Sequence, residues 1–253
     1  MKTENLYELC KAEEAIAHIH GWDFSHIAGR YEEEASLPWD YRAEILSRLT
    51  PAMGILDIDT GGGEFLLSLD HPFANTAAME NFPPNVTLCE ETLLPLGIDF
   101  RPGDGGGPYP FEDGRFDLVI NRHGAFSPEE IFRVLKPGGY FITQQVGAKN
   151  DRGLVKLLCG HNSIIFSEQY PSITADKFRA AGFEILRAQE AFPPIRFYDV
   201  GALTWFARIL PWEFPNFSVD THWEQLLEAQ QILENHGVIE DRVHRFLLIA
   251  QKR

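Results

Sequence analysis

The chain has 253 residues, 44% of them hydrophobic and 23% charged, a composition typical of a globular protein with a sizeable core. Its 22 Lys and Arg residues stand against 37 Asp and Glu residues, and the formal charge of −15 disfavours binding to nucleic acid or to anionic membranes. The three cysteines are widely spaced, which predicts neither disulfides nor a metal site. No apolar run approaches the ~18 residues of a membrane span, and the start has no signal-peptide pattern, so we expect a cytoplasmic protein without membrane contact.

The first fifty residues predict helices. Apolar residues at three- and four-residue spacing between Leu6 and Ala17 indicate one helix, and a second, shorter helix is expected from about Trp39 to Leu49. We expect Trp39 itself to serve packing.

From Gly54 the pattern changes to short apolar runs that alternate with amphipathic stretches. Ser127, followed by Pro128 and Glu130, has the pattern of a capping box at a helix start. Strands that alternate with helices predict a doubly wound α/β fold with a parallel sheet. The strands are predicted at 54–58, 76–80, 98–101, 116–121, 140–146, 183–187 and 244–251, and the helices at 64–69, 85–96, from 127 onward and at 174–181.

The segment 191–243, before the last strand, is rich in aromatic residues and proline, and it has helical spacing over 200–210 and 223–235. Any single aromatic residue here is explained by core packing. The segment as a whole predicts a helical insertion that forms a lid, because ligands of such sheets bind beyond the carboxyl ends of the strands.

The strongest functional signal is the run from Ile55 to Glu64, ILDIDTGGGE, where a strand leads through glycines into a helix. Glycine permits positive φ and lets a ligand approach the backbone, and the helix amino end offers free N–H groups to polar or anionic groups. A glycine cluster alone is a weak signal.

Three further residues strengthen the signal, because each follows or ends a predicted strand at the same edge. Glu80 is placed to accept hydrogen bonds from ribose hydroxyls, although a solvated acid at a strand end is the simpler interpretation. Asp104 is placed to accept from an exocyclic amine, and Asn121 to present polar groups to the same ligand. Together these elements predict a nucleotide-like ligand.

The motifs resemble those of class I S-adenosylmethionine-dependent methyltransferases, in the broad small-molecule "type 11"-like group. The resemblance runs from about Gly54 to Arg187 and includes the last strand. It implies a Rossmann-like core of 51–190 and 244–253, a helical cap of 1–50 and the lid of 191–243, all in a single domain. The matching residues are Asp57, Gly61 and Gly63 of the first motif, Glu80 as the ribose-binding acid, Gly103-Asp104, the run 110–119 into the fourth core strand and the turn 135–139.

The resemblance implies S-adenosylmethionine as the cofactor and a small molecule as the methyl acceptor. One departure stands in the first motif, because Asp59 occupies the place of the first glycine. Asp tolerates a left-handed backbone better than most residues, and its carboxylate is expected near the amino acid end of the cofactor, to pair with the ammonium or repel the carboxylate. The expected cofactor-binding residues are Asp57, Asp59, Thr60, Gly61, Gly63, Glu80, Asn81, Asp104, Gly105 and Asn121.

His123, two residues beyond Asn121, is the candidate general base if the acceptor must lose a proton, because a histidine ring accepts a proton near neutral pH. A histidine that only forms a loop hydrogen bond is an equally good interpretation. The main task of the protein would be to align the acceptor with the methyl group.

The sequence disfavours some alternative functions and leaves others open. A nicotinamide-dependent oxidoreductase is disfavoured, because Leu66 stands where the third glycine of Gly-x-Gly-x-x-Gly belongs. The run 121–124, Asn-Arg-His-Gly, lacks the Pro-Pro pair of nucleic-acid base methyltransferases. An RNA or protein methyltransferase and a non-catalytic S-adenosylmethionine-binding protein remain alternatives, the latter because of Asp59. A monomer or a homodimer is expected.

Overall fold

The computed structural model describes residues 3–18, 24–33, 36–160, 164 and 166–253. In chain order the elements are α1 Thr3–Ile16, β1 Tyr31–Glu33, α2 Tyr41–Leu46, β2 Ile55–Ile58, α3 Glu64–Ser68, β3 Thr76–Glu80, α4 Pro83–Thr92, β4 Asp99–Pro102, β5 Phe116–Arg122, α5 Pro128–Val134, β6 Leu135–Val146, α6 Arg152–Cys159, α7 Pro171–Ala180, β7 Phe183–Ala191, β8 Pro194–Phe197, α8 Val200–Ile209, α9 Trp223–His236, β9 Ile239–Arg242 and β10 Arg245–Lys252.

The chain forms two compact units, of which the larger comprises Pro38–Gly147, Glu168–Ala191 and Arg245–Arg253. Its sheet has the strand order β4-β3-β2-β5-β6-β10-β7. The five strands from β4 to β6 are parallel, and β10 is antiparallel to both β6 and β7. The α/β fold is as predicted, but the sheet is mixed rather than wholly parallel.

The core strands of this unit are buried because they lie inside the sheet with both faces covered. All four residues of β2 and all five of β3 are buried, which explains why these strands appear in the sequence as continuous runs without alternation. The parallel arrangement brings the carboxyl ends of β2, β3, β4 and β5 to one edge, where the candidate site lies.

The smaller unit comprises Met1–Leu37, Ala148–Ser167 and Phe192–His244. An antiparallel sheet of order β1-β8-β9 and the helices α1, α6, α8 and α9 enclose an aromatic core in it. The helices predicted within 191–243 are present as α8 and α9, and the segment also contains the short strands β8 and β9, which the sequence did not predict. Both strands have only four residues and pair with chain segments that are remote in sequence.

Within the part of the chain that the structure describes, no helix is long and apolar enough to cross a membrane. The cap, core and lid boundaries and the role of 191–243 as a lid stay predictions.

Candidate active site

The glycine loop after β2 has a left-handed backbone at three positions, Asp59 at φ 53°, Gly61 at φ 65° and Gly63 at φ 86°. The expectation that Asp59 tolerates this conformation is confirmed. Gly61 is held at both sides of its backbone: its N–H donates to Glu80 Oε2 over 2.8 Å, and its carbonyl accepts from the thiol of Cys89 over 3.1 Å. The loop is therefore fixed by β3 and α4.

Asp57 and Thr60 hold the loop from inside. The Thr60 hydroxyl donates to Asp57 Oδ2 over 2.7 Å, and both residues are buried. Burial raises the pKa of Asp57 to about 7; Thr60 and Arg122 oppose the shift, and the carboxylate of Asp59 adds to it. Because Asp57 and Thr60 bond to each other away from solvent, they support the turn rather than offer a surface to a ligand.

Glu80, at the end of β3, organises the same edge. Its side chain is buried, with Oε2 bonded to the Gly61 N–H and Oε1 accepting from the backbone N–H groups of Asn81 and Phe82 at 2.9 and 3.0 Å. A carboxylate oxygen accepts two hydrogen bonds, so Oε2 keeps one place for a hydroxyl. Asn81 is exposed, and Phe82, which the sequence analysis missed, is 56% exposed beside it.

Asp59 connects the glycine loop to the loop after β5. Its Oδ2 accepts from the Ala125 N–H over 2.8 Å, whereas Oδ1 is buried and, within the described residues, has no hydrogen bond of ordinary geometry. Burial raises the pKa of Asp59 to about 6; the Ala125 N–H opposes this shift, and the charges of Glu80 and Asp104 add to it. A cationic donor at this carboxyl group would relieve both the missing bond and the repulsion.

The loop after β4 lies against the loop after β5. Gly105 is buried, and a Cβ there would stand 2.2 Å from the Ala125 carbonyl oxygen, so only glycine fits. The hydroxyl of Tyr109 donates to the Gly105 carbonyl over 2.9 Å and accepts from the Ser127 N–H over 3.0 Å. Asp104 is exposed and accepts from the Gly106 N–H over 2.8 Å, so its carboxylate faces solvent at the site.

Asn121 does not present polar groups to a ligand, contrary to expectation. Its side chain is completely buried, and its amide nitrogen donates to the Ile58 carbonyl over 2.9 Å and to the Ala125 carbonyl over 3.3 Å. Its oxygen accepts from Thr143 and Gln145. With all four hydrogen-bonding positions occupied, Asn121 ties the ends of β2, β5 and β6 together.

His123 lies where the sequence placed it, in the loop after β5, with an exposed side chain and φ 60°. Its backbone N–H donates to the Gln144 carbonyl over 3.0 Å, and its Nε2 lies 3.3 Å from Gln144 Nε2. Loss of hydration by the surrounding protein atoms lowers the pKa of His123 well below its ordinary value, and the positive charges of Arg245 and Arg122 lower it further.

The edge as a whole carries an acidic field, because the charges of Asp59 and Glu80 add to the raised pKa of Asp57, and those of Glu80 and Asp104 add to the raised pKa of Asp59. Such a field favours a ligand with positive charge and disfavours one with several phosphates. No group of three or more His, Cys, Asp or Glu residues suited to a metal ion occurs in the described parts of the chain.

Residues 56–143 match the family described as "Methyltransferase domain". The phthiotriol/phenolphthiotriol dimycocerosates methyltransferase of Mycobacterium tuberculosis is 35% identical over 98 residues, which are 36% of this chain and 36% of that protein. The demethylmenaquinone methyltransferase of Leptospira interrogans is 29% identical over 117 residues, 41% and 47% of the two chains. This chain therefore spans less than half the length of these curated relatives.

The fold is shared more widely. A SAM-dependent methyltransferase from Methanosarcina mazei superposes with a TM-score of 0.50 at 17% sequence identity, and the match covers 81% of this chain and 95% of that one. At this level of identity the likeness concerns the fold alone.

Proposed function

We propose that the chain is a class I S-adenosylmethionine-dependent methyltransferase that transfers a methyl group from S-adenosylmethionine to a small organic acceptor. The observation that carries the proposal is the glycine loop between Asp59 and Glu80, where rigid left-handed backbone meets an acidic field. When bound, S-adenosylmethionine supplies a methyl group on a positively charged sulfur.

The residues present fit this cofactor. Its sulfonium and ammonium groups are cationic, and the acidic edge supplies the opposite charge, whereas the pyrophosphate of a nicotinamide dinucleotide would be repelled. Asp59 Oδ1, which has no hydrogen bond of ordinary geometry within the described parts of the chain, suits the ammonium. Glu80 Oε2 has room for a ribose hydroxyl, and the exposed Asp104 carboxylate suits the exocyclic amine of adenine. Phe82 offers an exposed ring beside them for the face of the base.

Methyl transfer from a sulfonium requires that the acceptor be aligned with the methyl group and does not require a covalent intermediate with the protein. A cofactor loop that is fixed at several points suits this requirement. Gly61 is fixed by Glu80 and Cys89, and Gly105 is fixed by Tyr109. The side chains of Asp57, Thr60 and Asn121 act behind the loop, where they preserve its shape without touching the cofactor.

A small-molecule acceptor agrees with the net charge of −15, which disfavours RNA. Two of the matched relatives are named for phthiotriol/phenolphthiotriol dimycocerosates and for demethylmenaquinone, which suggests testing apolar hydroxylated acceptors first. Cytoplasmic location and a monomeric or homodimeric state remain predictions from sequence.

Isothermal titration with S-adenosylmethionine and S-adenosylhomocysteine tests the cofactor. We expect micromolar binding that Glu80→Ala and Gly61→Val weaken at least tenfold, because each disturbs the loop. Glu91→Ala, which removes an exposed acid from α4, is the control and should bind as the native protein does. Unchanged dissociation constants in folded Glu80→Ala and Gly61→Val would disprove the site.

Turnover is then tested with a panel of phenols, quinols and hydroxylated lipids. Consumption of the cofactor that depends on an acceptor supports a methyltransferase. Tight cofactor binding without turnover on any acceptor, including RNA and protein substrates, would favour a non-catalytic binding protein instead.

A further inference from the structure

Gln144 on β6 lies between Trp39 and His123. The indole Nε1–H of Trp39, which is buried, donates to Gln144 Oε1 over 2.8 Å. Gln144 Nε2 lies 3.3 Å from His123 Nε2, and the pairing of Arg122 with Gln144 across β5 and β6 holds the two strands in this register.

These contacts fix the orientation of the Gln144 amide. An indole N–H donates and never accepts, so the oxygen of the Gln144 amide must face Trp39. The NH₂ group of the amide then faces His123, and two donors cannot share the contact. His123 Nε2 is therefore the acceptor, and the proton of its neutral ring resides on Nδ1.

The opposite side of the ring is available to a ligand. Within the described residues His123 Nδ1 has no protein partner, and the side chain is exposed at the carboxyl end of β5. The charged groups that act on the ring are Arg122 of β5 and Arg245 of β10, and both oppose a second proton on it. Gln144 and Trp39, on the other flank, are neutral.

We propose that Trp39 and Gln144 hold His123 as the neutral Nδ1–H tautomer, and that His123 serves as a hydrogen-bond donor to an oxygen of the methyl acceptor. The expectation that His123 is a general base is revised by this proposal, because the lone pair of Nε2 is already engaged and Nδ1 carries a proton. The role as a donor to the acceptor rests on the proposed function, whereas the tautomer does not.

The consequence concerns the acceptor. A site that holds a donor and no base at this position suits a nucleophile that needs no proton removed by the protein, such as a phenolate, an enolate or a neutral amine. The hydrogen bond positions an oxygen of the acceptor, and Trp39 and Gln144 are positioning residues for His123.

The tautomer is tested on the native protein without cofactor by two-dimensional nitrogen NMR of the histidine rings, with His123→Asn used to assign the signal. We expect the Nδ1–H pattern for the neutral ring. An Nε2–H pattern would overturn the proposal whether or not the protein binds S-adenosylmethionine.

Two substitutions probe the cause. Gln144→Glu keeps the acceptor for Trp39 but turns a second oxygen toward Nε2, so the pKa of His123 should rise and its ring should take a proton on Nε2. Trp39→Phe removes the donor that orients the amide and should give mixed tautomers. Gln189→Glu, which adds the same charge on β7 and keeps an acceptor for Arg187, is the control and should leave the His123 signal unchanged. If the His123 signal is the same in Gln144→Glu, in Trp39→Phe and in the native protein, Gln144 and Trp39 do not position His123.

The role of His123 is tested with His123→Asn and His123→Asp, two substitutions that tolerate its left-handed backbone equally. Asn keeps a donor near the Nδ1 position and Asp does not. We expect kcat/KM to stay within threefold in the Asn variant and to fall about three- to tenfold in the Asp variant, the effect of one neutral hydrogen bond. A loss of about a hundredfold or more in both variants would identify a base, and no loss in either would remove the donor role.

Discussion

Asp59 is a residue at which this chain departs from the methyltransferase motif that it resembles, and the structure gives the departure a physical meaning. The side chain stands where the first glycine of the motif belongs, yet the backbone keeps the left-handed turn. One oxygen accepts from the Ala125 N–H, and within the described residues the other has no hydrogen bond of ordinary geometry. Asp59 therefore adds a carboxyl group to the site while its own backbone takes the left-handed conformation that glycine permits.

We expect the affinity for S-adenosylhomocysteine to rise as the pH rises through about 6, because its ammonium group binds the ionised form of Asp59, whose pKa burial raises to about 6. Asp59→Asn should flatten this dependence. Titration calorimetry between about pH 5 and 7.5 measures it, with Glu91→Gln as the control.

5′-Methylthioadenosine lacks the amino acid end and separates this effect from a general change in the site. Its affinity should depend little on pH and on Asp59. Equal pH dependence for the two ligands would show that Asp59 does not contact the ammonium.

Gly105 gives a second prediction at the level of a single residue. A Cβ at this position would stand 2.2 Å from the Ala125 backbone oxygen, so Gly105→Ala must push two loops apart. We expect a loss of about 1–3 kcal/mol in the free energy of unfolding and weaker cofactor binding.

Gly107→Ala is the matched control for Gly105→Ala. It lies in the same loop, where the nearest atoms to a new Cβ are 3.6 Å away. Urea denaturation of both variants measures the difference, and equal stability of the two would contradict the close approach of the loops.

Helix α5 begins at the predicted place, but only one half of the predicted capping box forms. Ser127 caps the helix by accepting from the Glu130 N–H over 3.3 Å, as predicted. Glu130 does not complete a capping box; its carboxylate binds Arg133 and the Tyr109 N–H instead. The helix start is thereby linked to the loop that carries Gly105.

Ser127→Ala should lower the free energy of unfolding by about 1 kcal/mol, the usual cost of a lost helix cap. Thr87→Ala on α4 is the control, because the Thr87 hydroxyl only bonds back to the Pro83 carbonyl within the helix. Denaturation midpoints that do not differ between these variants would argue against the cap.

At the level of the whole molecule, stability should depend on pH through the buried acid Asp57. Its folded-state pKa is raised to about 7 by burial, so the folded protein keeps a proton that the unfolded chain loses near pH 4. Stability is therefore greatest at low pH in this window and falls as the pH rises from about 4 through 7.

Asp57→Asn removes this ionisation and keeps an acceptor for Thr60. We expect the variant to gain about 1–3 kcal/mol relative to the native protein near pH 8 and to lose the pH dependence below it. Asp176→Asn, at an exposed position on α7, should change neither. Thermal unfolding across this range measures the effect, and parallel curves for native protein and Asp57→Asn would show that Asp57 is not the source.

The sequence predicted where the candidate site lies, but it did not predict most of the hydrogen bonds within it. Gly61, Glu80 and Asp104 follow or end strands, and in a parallel sheet such positions meet at one edge. The burial and full hydrogen bonding of Asn121 depend on Gln145, which is remote in sequence. The bond from the Gly61 N–H to Glu80 likewise joins residues 19 positions apart.

By itself the sequence determined the α/β class, the strand at 76–80 and the left-handed loop with Asp59 in it, because these depend on local periodicity and on residues with special backbone preferences. The tertiary structure decided that β8 and β9 are strands, that β10 is antiparallel between β6 and β7 and that Gln144 is oriented by Trp39. The physical reason is that short strands and buried hydrogen bonds are stabilised by partners distant in sequence, which no local pattern encodes.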